Sequence, residues 1–321
     1  MLVFNGIYAK LLRQYIEFKR NLGYRYESEY RYREFDRFTI QQGCNSIGLT
    51  KELFELWSAK RPNETDSNRY HRIIDISNFS KYLNSIGFQS FIPQHTGKYK
   101  GVHVPYIFSH DEIKNIFLAC DNIPVTGYSN LTLVLPALLR LIYGCGLRVN
   151  EALSLKCSDI DLKEHLIFIR DSKNGTDRVL PFTSSVSSAL EKYLSYRKSL
   201  NISSDFFFVM KSGDCCTSDA VYRWFRVILF NAGIPHRGRG YGPRVHDLRH
   251  SFSVHSLTSM SDKGLDLYYS LPILSKYLGH RSLAATDKYV RLTEDMYPGI
   301  LMEVDKLCAY VFPEVHRNET E

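Results

Sequence analysis

The sequence lacks a long apolar run. No stretch approaches the ~18 to 20 consecutive apolar residues that a helix needs to cross a bilayer. The apolar residues 1–4 are followed at once by Asn5 and Gly6, and the basic, apolar and small segments of a secretory signal peptide are missing. We therefore expect neither a membrane-spanning protein nor a secreted one.

The cysteines are scattered along the chain. The seven cysteines form an odd set, and no two of them have the Cys-x-x-Cys spacing. The sequence therefore predicts neither a disulfide framework nor a zinc site. The adjacent Cys215 and Cys216 could form a redox switch, although two small residues in a turn are the simpler interpretation. A reducing cytoplasm is the expected location.

Two motifs of cofactor-dependent enzymes are also missing. The sequence has no glycine-rich phosphate-binding loop and no acidic metal cluster. We therefore expect no nucleotide, metal or other cofactor. The apolar fraction of 44% and the aromatic fraction of 13% exclude a disordered chain.

A net charge of +7 favours a polyanionic partner. Residues 1–106 contain 16 Lys and Arg against 10 Asp and Glu, so nearly all of the excess positive charge lies in this third of the chain.

A length of 321 residues suggests two domains. Pro93, Gly97, Gly101 and Pro105 mark a connection between them. We predict a helical domain over 1–90, a linker over 91–106 and a second domain over 107–321.

Apolar residues at three- and four-residue spacing predict most of the secondary structure. In the first domain the predicted helices are 8–22, 27–42, 51–59 and 65–86, with Thr50 and Thr65 as N-caps. In the second domain Ser109 begins a capping box. Predicted helices there are 109–120, 131–143, 184–199, 217–232, 247–259, 271–278, 283–289 and 294–307.

Residues 165–170 and 178–182 flank Asn174-Gly175, a pair that favours a β-hairpin turn. The predicted fold class is therefore mainly α. It combines a helical N-terminal domain with a mixed, mostly helical second domain that contains a small antiparallel sheet.

Six residues of the second domain suit the cleavage of a phosphodiester by a tyrosine: Arg148, Lys173, His246, Arg249, His280 and Tyr289. The reaction needs a nucleophile, cations on the nonbridging oxygens and a proton for the leaving oxygen. Arginine forks match phosphate oxygens in geometry, so Arg148 and Arg249 are the candidate clamp. Lys173, at the hairpin tip, is the candidate general acid.

The remaining three residues complete the reaction. His246 precedes Arg249 by three residues and can accept the tyrosine proton. His280 can steady a nonbridging oxygen, and Tyr289 follows it by nine residues as the candidate nucleophile. A tyrosyl phosphodiester retains the bond energy, so religation would need no cofactor.

Some of these residues have plainer interpretations. Arg148 could merely pair with Glu151, and Lys163 or Arg178 could replace Lys173 as the functional cation. His246 could be a core or capping histidine.

His250 and Tyr289 have alternatives as well. His250 could be purely structural, and it would support the site at most. Tyr277 and Tyr297 compete with Tyr289 as the nucleophile, but Tyr277 precedes the Gly-His turn and Tyr297 stands next to a proline.

Two basic stretches, 25–33 and 236–244, interleave arginines with tyrosines or glycines. Such stretches can follow phosphates along a groove, although a solvated helix face or a plain loop would look the same. The candidate DNA-binding residues are Arg25, Arg31, Arg33, Arg237, Arg239 and Arg244.

Three blocks of the sequence resemble the tyrosine recombinases, also called phage-type integrases. They are residues 143–148 with Glu151 and Asp159, residues 246–252, and residues 278–280 with Thr286 and Tyr289. The resemblance implies that the six residues named above are catalytic and that Glu151 supports them. It also implies a core-binding domain and a catalytic domain that together clamp a DNA duplex.

By the same resemblance, four protomers would pair two double-stranded recombination sites and exchange strands through 3′-phosphotyrosyl intermediates and a Holliday junction. Residues 296–311 would be the exchanged C-terminal helix, and other recombinases could share the synapse. The leading hypothesis is an integrase or transposase of a mobile element. The alternatives are Xer-like dimer resolution, a type IB-like topoisomerase, and a noncatalytic DNA-binding protein.

Overall fold

The computed structural model describes residues 3–24, 29–93, 104–124, 129–170, 177–200, 202–236, 238, 242–280 and 282–296. Contacts between Cα atoms divide the chain into two compact units, Met1–His103 and Val104–Glu321. The division falls inside the segment that the sequence predicts to be a linker. Among the helices of the described ranges, none has both the length and the apolar character that crossing a membrane requires.

The first unit is helical. Its helices are α1 (Ala9–Asn21), α2 (Glu29–Gln41), α3 (Lys51–Ser58) and α4 (Asp66–Ser85). The hydroxyl oxygens of Thr50 and Thr65 accept hydrogen bonds from the backbone three residues later, at 3.2 Å in each case. Both predicted N-caps are therefore confirmed, and they fix where α3 and α4 begin.

Aromatic rings fill the core of the first unit. The ring of Phe79 lies 5.4 to 6.3 Å from the rings of Tyr8, Tyr15, Tyr32 and Phe35. The ring planes in these four pairs are inclined by 61° to 74°, which is close to edge-to-face. This arrangement stabilises aromatic pairs beyond the effect of burial. Packing therefore accounts for Tyr8, Tyr15 and Tyr32, whereas Tyr24 and Tyr30 are exposed.

The second unit contains the remaining elements. They are α5 (His110–Asp121), α6 (Leu131–Gly144), α7 (Val149–Leu153), β1 (Ile160–Asp161), β2 (Leu166–Ile169), β3 (Arg178–Pro181), α8 (Ser184–Ser199), α9 (Ser218–Asn231), α10 (Val245–Asp262), α11 (Leu267–Leu278) and α12 (Ala284–Met296). Ser109 and Glu112 form the predicted capping box at the start of α5. The predicted fold class, mainly α with a small antiparallel sheet, is confirmed.

Helix α6 is apolar on most of its surface, and it packs against α5, α8 and α10. Helix α10, in contrast, buries polar residues as well as apolar ones. The Ser251 hydroxyl accepts a hydrogen bond from the backbone of Phe108 at 2.8 Å and donates to the Asp247 carbonyl oxygen. The buried Ser251 hydroxyl is therefore fully paired, and the same helix carries the buried charged residues Asp247 and Arg249.

The three strands form an antiparallel sheet in the order β1, β2, β3. In the β2–β3 pair Ile167 lies opposite Leu180, and both side chains are buried. This register places Arg178 at the first position of β3, opposite Ile169. The predicted hairpin turn, residues 171–176, lies outside the described residues.

Two predicted helix boundaries are wrong. Helix α11 begins at Leu267 rather than at 271, because the Asp266 carboxylate accepts a hydrogen bond from the Tyr268 backbone and caps the helix ahead of Pro272. Helix α12 runs from Ala284 to Met296 without the predicted break. Tyr289 and Leu292 lie on the same face of α12 and pack in one apolar cluster, which favours continuous helix.

The turn between α6 and α7 depends on Gly146. Its φ of +59° lies in the left-handed region, and a Cβ atom there would come within 2.4 Å of the Phe252 ring and 3.0 Å of Leu278. A side chain would therefore be disfavoured both by backbone conformation and by packing.

We expect Gly146→Ala to lower the free energy of unfolding by about 2 to 4 kcal/mol, from about 1 for the backbone and about 1 to 3 for overpacking. Gly264→Ala is the matched control, because Gly264 has a φ of +77° but no atom within 4 Å of the added Cβ. Urea unfolding of both variants measures the difference. Equal losses would contradict the packing argument.

Candidate active site

Arg148 stands directly before α7, and Glu151 holds it there. The Arg148 backbone N–H donates to Glu151 Oε2 at 3.0 Å, and its guanidinium Nη1 donates to Oε1 at 2.7 Å. The Arg148 side chain remains 22% exposed. The predicted pairing with Glu151 therefore exists, and it leaves Arg148 accessible to a ligand.

Three arginines, Arg148, Arg178 and Arg249, lie around the Glu151 carboxylate. Arg178 donates from Nη2 to Oε2 at 2.9 Å and from Nη1 to Oε1 at 3.2 Å. Arg249 Nη1 lies 3.8 Å from Oε2. Burial raises the pKa of Glu151, but hydrogen bonds from Arg178 and Arg148 outweigh burial and lower it to about 2. Glu151 is therefore charged throughout the physiological pH range.

Arg249 is almost completely buried, with an exposed fraction of 1%. Its Nη1 donates to the Gly146 carbonyl oxygen at 2.7 Å, and its Nη2 donates to the Leu278 carbonyl oxygen at 2.8 Å. Burial, together with the nearby Arg148 charge, lowers its pKa to about 10. Arg249 is still protonated at neutral pH, and two backbone segments fix the position of its guanidinium.

His280 follows α11 and lies beside Arg249. Arg249 Nη2 is 3.1 Å from His280 Nε2, and His280 Nδ1 is 2.8 Å from the Thr286 hydroxyl. Because a guanidinium can only donate, Nε2 accepts and Nδ1 carries the proton. Burial and the charge of Arg249 lower the His280 pKa to about 4. A neutral imidazole therefore connects Arg249 to α12.

Tyr289 lies on α12, with 4% of its surface exposed. Its hydroxyl oxygen is 3.0 Å from His250 Nδ1. Its ring is nearly parallel to that of His280, with centroids 6.1 Å apart and planes 20° apart. The candidate nucleophile therefore lies beside the arginine cluster of its own chain.

His246 and His250 occupy successive turns of α10. Their ring centroids are 4.6 Å apart and their planes nearly perpendicular. His246 is exposed, whereas His250 is half-buried next to Tyr289. The structure therefore places His250, to which the sequence analysis gave at most a supporting role, at hydrogen-bond distance from the phenolic oxygen.

The predicted general acid, Lys173, lies outside the described residues, as do Arg25, Arg237, Arg239 and the competing Tyr297. The other competing tyrosine, Tyr277, donates its hydroxyl proton to the Pro181 carbonyl oxygen at 3.2 Å.

Among the described arginines of the two basic stretches, Arg31 and Arg244 have partners within the protein. Arg31 forms an ion pair with Asp75 at 2.6 Å, and the Arg244 backbone donates to Asp247. Arg33 is only partly exposed. The DNA contacts proposed for these residues stay predictions.

The sequence argument missed the role of Arg178, which it treated only as a charge competing with Lys173. The Arg178 side chain is buried, it binds Glu151 through both terminal nitrogens, and its Nε donates to the Tyr277 carbonyl oxygen at 3.1 Å. Its position directly after the predicted hairpin turn was the available signal. Within the described ranges no group of three or more His, Cys, Asp and Glu is placed to hold a metal ion.

Comparison with known proteins identifies the family of the chain. The model of the phage integrase family matches residues 107–296, which is more than half of the chain. The chain belongs to the phage integrase family. Its members, the tyrosine recombinases, are enzymes that break and rejoin DNA strands by transesterification.

Curated relatives extend the match. The recombinase is 28% identical over 300 residues to the integrase/recombinase y4rB of Sinorhizobium fredii, which covers 88% of this chain and 92% of the relative. It is 30% identical over 193 residues to the tyrosine recombinase XerA of Pyrococcus horikoshii, which covers 59% of this chain and 58% of that protein.

Solved structures share the fold. A XerH site-specific recombinase bound to its palindromic difH substrate matches with a TM-score of 0.63 at 19% identity, over 87% of this chain and 77% of that chain. The Tn1549 transposon integrase in complex with transposon right end DNA matches with a TM-score of 0.61 at 13% identity, over 89% of this chain and 99% of that chain.

We expect Glu151→Gln to destabilise the recombinase at neutral pH by about 3 kcal/mol, because a carboxylate whose pKa falls from 4.5 to about 2 on folding stabilises the folded state above pH 4.5. In the wild type this contribution to the free energy of unfolding is lost as the pH falls from 4.5 towards 2. The free energy of unfolding of Glu151→Gln should therefore fall less over the same pH range. Urea unfolding between pH 7 and 2 measures both effects.

The exposed Glu164 provides the control, since Glu164→Gln makes the same charge change in the same unit. If both variants unfold alike at every pH, the Glu151 ion pairs do not have the role described here.

Proposed function

We propose that this recombinase cuts and rejoins specific double-stranded DNA sites with Tyr289 as the nucleophile. The observation that carries the proposal is the position of the Tyr289 ring, which is stacked on His280 while His280 accepts a hydrogen bond from Arg249. A phosphate held by Arg148 and Arg249 would therefore lie beside the phenolic oxygen.

The proposed reaction exchanges one ester for another. The phenolic oxygen of Tyr289 forms a bond to phosphorus while the bond from phosphorus to the 5′ oxygen breaks. Arg148 and Arg249 stabilise charge on the nonbridging oxygens, and Lys173 donates a proton to the departing 5′ oxygen. A 3′-phosphotyrosyl ester results, and attack by a 5′ hydroxyl on that ester reverses the step.

We further propose that four protomers pair two sites in the cytoplasm and exchange strands through a Holliday junction. The basic charge of residues 1–106 supports a role for the first unit in binding the DNA backbone. The C-terminal exchange segment would be residues 296–311, which lie outside the described residues except for Met296.

Among biological roles, we favour integration or transposition of a mobile element. The match to the Sinorhizobium fredii integrase/recombinase covers 92% of that protein, whereas matches to Xer recombinases cover 58% of the Pyrococcus horikoshii XerA and 74% of the Chlamydia caviae XerC. Xer-like resolution of chromosome or plasmid dimers is the second candidate, supported by the XerH structure with a TM-score of 0.63.

We expect Tyr289→Phe to eliminate the covalent protein–DNA adduct while leaving DNA binding unchanged, because only the phenolic oxygen is removed. The measurement is adduct formation on a nicked suicide duplex, with binding followed by gel shift. Tyr268→Phe is the control, since Tyr268 is 80% exposed on α11. An adduct that persists in Tyr289→Phe would disprove the nucleophile assignment.

The biological role can be tested by mapping where the protein becomes covalently attached to genomic DNA. Adducts at the two ends of one mobile segment are expected for an integrase or transposase. A single site per chromosome or plasmid would instead support dimer resolution. Sequence-independent relaxation of supercoiled DNA by a monomer would support the topoisomerase alternative.

A further inference from the structure

We propose that His250 is a further catalytic residue of this recombinase: its Nδ1 orients the Tyr289 hydroxyl and accepts the phenolic proton as the oxygen attacks phosphorus. The proposal rests on the proposed function of Tyr289. It differs from the sequence-based hypothesis, in which His246 accepts that proton and His250 only supports the site.

The first argument is distance. His250 Nδ1 lies 3.0 Å from the Tyr289 hydroxyl oxygen, which is within the range required of a general base. A phenol must lose its proton to become an effective nucleophile, and an imidazole nitrogen is the natural acceptor near neutral pH. In this geometry the acceptor is already in place before DNA binds.

The second argument is positioning. The buried Tyr289 ring has two imidazoles as neighbours: the His280 ring is stacked on it, and the His250 ring centroid is 5.6 Å away. His250 follows Arg249 directly on α10, and Arg249 is fixed by two backbone carbonyl oxygens. The proton acceptor and the phosphate-binding cation are therefore held by the same rigid helix segment.

His246 has a different place. It lies one turn earlier on α10, is exposed, and its ring contacts the edge or face of the His250 ring. The exposed His246 side chain can contact a DNA phosphate. The contact with the Tyr289 hydroxyl that the structure describes is made by His250. The two histidines therefore have separate roles in the same reaction.

The proton balance is complete without an additional reactant. In cleavage the Tyr289 O–H bond breaks, its proton moves to His250 Nδ1, and Lys173 supplies the proton of the departing 5′ oxygen. In religation the protonated His250 returns its proton to the departing phenolate. His250 should therefore accelerate both directions equally, as microscopic reversibility requires.

Two substitutions separate orientation from proton transfer. His250→Leu removes the acceptor, whereas His250→Asn places an amide oxygen near the position of Nδ1, so it can hold the hydroxyl but cannot accept its proton. We expect adduct formation to slow by about 10²- to 10⁴-fold in His250→Leu, with His250→Asn slower than the wild type but faster than His250→Leu. An unchanged rate in His250→Leu would overturn the whole proposal. An unchanged rate in His250→Asn would overturn the proton transfer and leave only the orientation of the hydroxyl.

A substrate with a bridging 5′-phosphorothiolate identifies which side of the reaction is affected. Its thiolate leaving group departs without a proton, so the substrate should restore cleavage by Lys173→Ala, the general acid variant. It should not restore His250→Leu. Full restoration of His250→Leu would mean that His250 acts on the leaving group, and the proposal would be wrong.

Controls distinguish a failed proposal from a failed function or a misfolded variant. His110→Leu changes an exposed histidine of the same unit, outside the site, and should cleave normally. Gel shift and thermal unfolding establish that His250→Leu is folded and binds DNA. If His246→Leu loses cleavage and His250→Leu does not, His246 is the proton acceptor and this proposal is wrong. A covalent adduct in Tyr289→Phe would instead disprove the proposed function.

Discussion

The site depends on one buried carboxylate. Glu151 binds Arg148 and Arg178 directly and lies 3.8 Å from Arg249. Three guanidiniums this close would repel one another strongly in a buried site. A single Glu151 charge lowers that repulsion without cancelling it. Burial first, and the Arg148 charge second, lower the pKa of Arg249 to about 10. The free enzyme thus keeps a positive charge that a phosphate can neutralise.

The same contacts arrange the site before substrate arrives. Arg249 is held by carbonyl oxygens from the α6–α7 turn and from the end of α11, and His280 connects it to Thr286 on α12. Elements that are distant in sequence therefore share one hydrogen-bonded cluster. Because the guanidinium is already ordered, little side-chain entropy remains to be lost when a phosphate binds.

Local signals explain what the sequence could predict. Apolar periodicity and the Thr50, Thr65 and Ser109 caps act over a few residues, so the helices could be placed. The contacts that define the site join residues far apart in sequence: Arg178 is 27 residues from Glu151, and Arg249 is 103 from Gly146. Spacing cannot reveal such pairs. The resemblance named Arg249 and Tyr289, but the contact between His250 and Tyr289 depends on how α10 packs against α12.

Exposure indicates how a phosphate would enter. Arg148 is 22% exposed and His246 lies at the surface, whereas Arg249 is 1% exposed. A phosphate would therefore meet Arg148 first. To bind Arg249 as well, it would use an N–H beyond the three that already have protein acceptors, or replace one of those acceptors. Displacing a buried carbonyl oxygen would leave it unpaired at a cost of roughly 1 to 3 kcal/mol. His280 is easier to displace, because an imidazole can change tautomer and donate to the phosphate. Since His280 also stacks on Tyr289, this exchange would couple phosphate binding to the nucleophile.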